Sequence, residues 1–127
     1  MPTRVEVYEG MVELERAIVA ALNAHALGER NAQTQDELAG WVTLSLGHKV
    51  SARETRLVIH TLRTIYNAPI ASRYSSGGGY YVPQGADEFQ RYVDSLEGHF
   101  LQMGEQLAAV KKAMARTFPQ TSLIPGL

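Results

Sequence analysis

The sequence predicts a mainly α (α+β) fold ending in a long coiled-coil helix, and three observations lead there. First, helix-start signals recur. In Thr34 to Glu37 (TQDE), Ser51 to Glu54 (SARE) and Asp87 to Gln90 (DEFQ), a small polar residue stands three positions before Glu or Gln. The first side chain of each can accept from an orphan backbone N–H while the fourth reaches back to the cap. Second, one β-prone stretch, Ile70 to Pro83 (IASRYSSGGGYYVP), carries three consecutive glycines. Third, Phe89, Val93, Leu96, Phe100, Met103, Leu107, Val110 and Met114 follow one another at alternating spacings of four and three. That repeat keeps an apolar seam facing the helix of another copy in a coiled coil, the alternative being one helix folded back on the chain's own core.

Taken in order, Met11, Leu14, Ile18 and Leu22 set a first amphipathic helix at about residues 10–27. The first two capping signals open helices at about 35–45 and 52–66, and the third opens one at about 88–117. Arg30 to Gln33 (RNAQ) reads as a short strand before the second helix. Pro69 ends the third helix, and Ile70–Tyr74 and Tyr80–Val82 read as a hairpin whose glycine tip supplies positive φ. Within the third helix Thr55, Val58, Ile59, Leu62 and Ile65 are expected to pack inward. Gly98 and Gly104 weaken the last helix locally. The Pro- and Gly-containing end reads as a tail. With 127 residues, one compact domain and an appendage fit. The expected division is 1–84 for the domain, 85–118 for a dimerisation helix and 119–127 for a flexible tail.

Charge is unevenly distributed although the net charge is −1. Residues 1–47 carry three Arg against seven acidic residues, whereas residues 48–82 carry Lys49, Arg53, Arg56, Arg63 and Arg73 against Glu54 alone. A basic centre between acidic flanks points to a directed surface. Enzyme chemistry finds no support. His25, His48, His60 and His99 are dispersed, cysteine is absent, no serine sits in a G-x-S-x-G elbow and no carboxylates pair. No metal or cofactor is expected. A nucleotide-binding loop needs Lys-Ser/Thr and a helix after its glycines, and here Tyr80–Pro83 (YYVP) follows. No apolar run approaches the roughly 20 residues a membrane helix needs, and a cytoplasmic protein with no membrane partner is expected.

The third helix sorts by face. Opposite its apolar side, Arg53, Arg56, His60 and Arg63 recur at three, four and three, beside an N-terminus whose dipole favours phosphate. Guanidinium groups there suit guanine edges or phosphate. His60 is equally compatible with a buried, hydrogen-bonded position. Tyr74, Tyr80 and Tyr81 read first as packing for the hairpin, and second as platforms for single-stranded bases.

On these residues the chain resembles a winged helix-turn-helix DNA-binding domain, of the kind found in biotin-repressor-type regulators and small phage proteins. The matching positions are Leu38 and Ala39 in the second helix, Val50 and Ser51 at the turn, and Leu62 and Arg63 closing the third helix. Ile70 and Ser72 match the first wing strand, and Gly79, Tyr80 and Tyr81 the return strand. The resemblance covers about residues 10–83. One departure is visible: Ala39 to Val50 (AGWVTLSLGHKV) makes the interval before Ser51 longer than the usual short turn, which implies an extended second helix or an unusual loop.

The resemblance implies that Ser51 caps a recognition helix, that Arg53, Arg56 and His60 face the major groove, and that Arg73, Tyr74, Ser75 and Ser76 of the wing touch the backbone or minor groove. Lys49 and Arg63 complete the expected DNA-binding set. The implied function is sequence-specific binding of double-stranded DNA by a homodimer joined through the seam from Phe89 to Met114. A small transcriptional regulator or a replication or partition accessory protein would act so, in a bacterial or phage-infected cell. The alternative is a winged-helix adaptor that recruits another protein through its C-terminal helix.

Overall fold

Gly10 sits at φ +93°, where a side chain would be strained. The turn it makes separates an extended N-terminal segment from α1 (Glu13–His25). In the computed structural model, which describes residues 2–75 and 77–119, α1 is followed by a 3-10 turn at Glu29–Asn31, α2 (Gln35–Leu46) and α3 (Ala52–Thr64). The strands β1 (Ala71–Ser72) and β2 (Tyr80–Tyr81) pair antiparallel, Ala71 opposite Tyr81 and Ser72 opposite Tyr80. The last element is α4 (Ala86–Thr117). The chain divides into two compact units, Met1–Tyr92 and Val93–Leu127.

Two helices begin where local chemistry demands. Thr34 Oγ1 accepts from Glu37 N–H at 3.1 Å while Glu37 Oε1 accepts from Thr34 N–H at 2.9 Å. Ser51 and Glu54 repeat the reciprocal pair at 3.1 and 3.2 Å. The third signal is corrected: α4 starts at Ala86, so Asp87 lies inside the first turn rather than capping it. Glu88 does other work there. Its Oε1 accepts from the backbone N–H of Glu29 at 2.9 Å and of Gln84 at 3.2 Å, holding the start of α4 to the first unit.

The interval before α3 is resolved by a longer helix. α2 runs to Leu46, Gly47 ends it in the left-handed region at φ +76°, and its N–H donates to Thr43 O. Thr43 Oγ1 then accepts from Val50 N–H at 2.9 Å. One hydroxyl thus ties the end of α2 to the start of α3 and fixes the turn.

The core lies among α1, α2 and α3, with Ile18, Leu22, Leu38, Val42, Ile59, Leu62 and Val82 fully buried. Each such side chain contributes about 1.5–3 kcal/mol. Thr55 is buried too, its hydroxyl donating to Ser51 O at 3.0 Å. One inward assignment needs revision. Leu14 and Val58 are half-buried and pack against the core, but Ile65, 69% exposed, lies past the end of α3. The expected strand in RNAQ is replaced by the 3-10 turn, followed by a single antiparallel bridge between Gln33 and Tyr80.

β2 is consequently paired on both edges. Beside β1 on one side, it exchanges Tyr80 N–H to Gln33 O at 2.7 Å and Gln33 N–H to Tyr80 O at 2.9 Å on the other. Val82 extends that edge, accepting from Gly28 N–H at 2.9 Å and donating to Ala26 O at 2.8 Å. A second apolar cluster of Ala32, Ala71 and Tyr81, with Tyr92 against it, lies by this sheet. The N-terminal segment is held by amides. Asn23 makes two 2.8 Å hydrogen bonds with the backbone N–H and C=O of Val5. Gln84 does the same for Thr3 at 3.0 and 2.8 Å.

Among the described residues, no helix is long and apolar enough to cross a membrane. The expected tail falls almost wholly outside the described residues.

Tyr81 is 1% exposed and its hydroxyl donates to Glu29 Oε2 at 3.2 Å. Burial, then the charge and hydrogen bond of Glu29, push its ionisation up to about 12 from an ordinary 10.0. A phenol that ionises less readily folded than unfolded adds stability in full below pH 10 and loses it as pH rises towards 12. Tyr81→Phe should therefore flatten the decline in urea-unfolding free energy across that alkaline window, at the cost of a lower plateau near neutrality. An unchanged alkaline slope would show that Tyr81 is not protected in this way.

Candidate nucleic-acid interface

The capped start of α3 presents the expected face. Thr55, Ile59 and Leu62 are buried and Val58 is half-buried, whereas Arg53, Arg56 and His60 are exposed. At 100° per residue those three fall within one sector of the helix, and Leu57, 52% exposed, lies at the edge of it. His60 is thus a surface residue and not a buried one. Lys49 is exposed just ahead of the cap, and Ser51 is half-buried with its oxygen accepting from Glu54 N–H. Together these groups form a basic surface with one apolar side chain at its edge, beside the N–H groups of a helix start.

The other two arginines are held differently. Arg63, in the last turn of α3, donates from Nε to Ile70 O at 3.0 Å and from Nη2 to Ser72 Oγ at 2.7 Å. Its guanidinium carbon also lies 5.2 Å from the centre of the Tyr80 ring. Such a fork plus ring contact is specific to guanidinium, and it fastens α3 to β1. Arg73 donates from Nε to Gly78 O at 3.1 Å and from Nη1 to Glu29 O at 3.3 Å. It braces the hairpin loop from within. Both positive charges remain, but their geometry is set by carbonyl groups of the fold.

At the loop, Tyr74 and Ser75 are exposed and Ser76 lies outside the described residues. Burial, then its interaction with Tyr92, raises the Tyr74 hydroxyl above its ordinary ionisation range. The three glycines follow at φ +87°, +81° and +121°. Gly79 is the constrained one: a Cβ there would come within 3.2 Å of Ala32 Cβ and of the Gln33 carbonyl, where Gly77 opens to empty space. The triplet thus serves a left-handed loop and the close approach of β2 to residues 32–33.

The expected dimer-interface residues are split by exposure. Phe89 is half-buried in the first unit. Along α4 beyond it, Val93, Leu96, Phe100, Met103, Leu107, Val110 and Met114 are all exposed, Phe100 by 76% and Met103 by 69%.

Sequence reasoning passed over a further feature. Trp41 and Leu44 are exposed on α2 and line an open, mainly apolar groove of about 940 Å³ with Val50 and Lys49. Trp41 stacks on His25 at 3.9 Å between ring centres and donates to Gln33 Oε1 at 3.0 Å. Sorting α2 by face would have separated Trp41 and Leu44 from the buried Leu38 and Val42. Among the described residues, no group of three His, Cys, Asp or Glu side chains could hold a metal ion.

Arg63→Lys keeps the charge and loses the fork, so it should lower folding stability by about 1–3 kcal/mol; a stability equal to wild type would mean the side chain is not a fastener. Gly79→Ala should destabilise more than Gly77→Ala, which bears only the left-handed strain of about 1–2 kcal/mol. Equal effects in chemical denaturation would show that residues 32–33 yield to the added methyl.

The chain matches no protein-family model, no curated protein and no solved structure.

Proposed function

We propose that the chain is a winged helix-turn-helix protein that binds double-stranded DNA as a homodimer, in the manner of a small transcriptional regulator or a replication or partition accessory protein. The observation that carries this reading is the exposed Arg53, Arg56 and His60 sector of α3 behind the Ser51 cap, on the side away from buried Thr55, Ile59 and Leu62. Three further features support it. The element order is three helices and then an antiparallel hairpin. The hairpin follows α3 at once and is tied to it through Arg63. The segment from 48 to 82 concentrates the positive charge.

In this reading α3 enters the major groove, where Arg53 and Arg56 pair with guanine edges or phosphates. The hairpin is the wing, and Tyr74 and Ser75 at its exposed loop meet the sugar-phosphate backbone or minor groove. Arg63 and Arg73 set the angle between wing and helix and add to the positive potential, rather than reading bases. Two copies related by a two-fold read an inverted repeat.

One observation favours a second reading. The exposed apolar face of α4 suits an adaptor that recruits another protein. Salt separates the two, because displacing counterions from phosphate makes DNA affinity fall steeply with ionic strength, and protein docking depends on it much less.

Duplexes selected from a random pool provide the test. Arg53→Ala and Arg56→Ala should each weaken binding to a selected duplex by about 1–3 kcal/mol if the contact is bidentate to a base. Thermal stability should stay near wild type, since both side chains are exposed. Unchanged affinity in both variants would remove α3 from the interface, and this reading with it.

A further inference from the structure

We infer that α4 pairs with α4 of a second copy in antiparallel orientation, its acidic first part lying along the basic last part of its mate. The inference rests on the self-association proposed above and adds its direction.

The seam itself needs a cover. Seven apolar residues from Val93 to Met114 are exposed on one stripe of the helix, more than a surface helix ordinarily leaves in water. Their heptad spacing suits another helix with the same spacing better than a flat surface.

The charges choose the direction. Residues 86–97 carry Asp87, Glu88, Asp94 and Glu97 against Arg91, while residues 106–117 carry Lys111, Lys112 and Arg116 and no acid. A parallel pair sets acid beside acid at one end and base beside base at the other. An antiparallel pair sets opposite signs together at both ends, and opposes the two helix dipoles as well.

The flanking positions give parallel pairing nothing in return. With Val93, Phe100, Leu107 and Met114 as the a positions, the edge pairs across a parallel seam are Tyr92 with Glu97, His99 with Gly104 and Gln106 with Lys111. None joins opposite formal charges, the feature by which such edges select a parallel partner.

The antiparallel register that pairs six of these seven brings Val93 against Val110 of the second copy, Phe100 against Met103, and Leu107 against Leu96, and sets Met114 against the half-buried Phe89. That same register lays residues 86–97 along residues 106–117, so packing and charge agree on one alignment.

The absence of cysteine from the chain makes the direction measurable by thiol cross-linking. Val93→Cys and Val110→Cys proteins, one carrying a mass tag, would be treated with a short bis-maleimide separately and as an equilibrated mixture. Antiparallel pairing puts residue 93 beside residue 110 of the mate, at the 8–10 Å spacing of packed helices. It leaves the two copies of residue 93 about 25 Å apart along the axis. The mixture should therefore cross-link and the single variants should not. Leu96→Cys with Leu107→Cys provides a second pair with the same expectation.

Cross-links within each single variant and none specific to the mixture would overturn the antiparallel direction while leaving self-association intact. No cross-link in any sample, with a monomeric mass by light scattering at tens of micromolar, would overturn both the direction and the homodimer.

Discussion

Backbone hydrogen bonding along Tyr80, Tyr81 and Val82 is the constraint on which the rest of the first unit depends. The stretch pairs with β1 on one edge and with residues 26–33 on the other, and a buried peptide group left without a partner costs as much as a lost hydrogen bond. Each neighbour leads to a helix. Ala26 follows α1, Gln33 precedes the Thr34 cap of α2, and Ala71 lies on the chain leaving α3. A strand of minimal length thus gathers one end of each of three helices. Short sheets are marginal alone. This one persists because Ile70 and Val82 are buried in the core of the helices it gathers, and Ala71 and Tyr81 in the smaller cluster with Ala32 and Tyr92.

What could be read from the sequence was what is decided within about four residues. The Thr34 and Ser51 boxes and the left-handed glycines have causes that lie next to them in the chain, and they were legible. Asp87 carried the same local signal and failed, because α4 begins at Ala86 and Glu88 is recruited by the backbone N–H groups of Glu29 and Gln84. RNAQ failed for a related reason: whether such a segment forms a strand depends on what β2 offers, which no local pattern records. Ile65 matched the helical period but lay past the end of the helix, where periodicity no longer predicts facing.

The candidate site shows the limit more sharply. Arg53, Arg56, Arg63 and Arg73 contribute identically to a charge count, yet two meet solvent and two are forked into carbonyl or hydroxyl oxygens of the fold. A guanidinium is both a cation and a five-donor clamp, and sequence reports only the first property. Arg63 and Arg73 thus hold the hairpin, the one to the end of α3 and the other from within its loop. The exposed basic surface is narrower than the sequence suggested and more firmly shaped.

The amide side chains that hold the N-terminal segment carry an evolutionary consequence. Asn23 and Gln84 grip the backbone of Val5 and Thr3, so the exposed side chains of Arg4 and Val7 are at liberty to drift. The burden of invariance moves to the two amides, each of which must donate to the carbonyl of one residue and accept from the N–H of that same residue. Even the near-isosteric acids would fail there, since a carboxylate facing a carbonyl oxygen replaces an attraction with a repulsion. Among descendants of this chain the exposed positions of the gripped segment should diverge quickly, while buried Val5 and two polar residues far from it in sequence stay fixed.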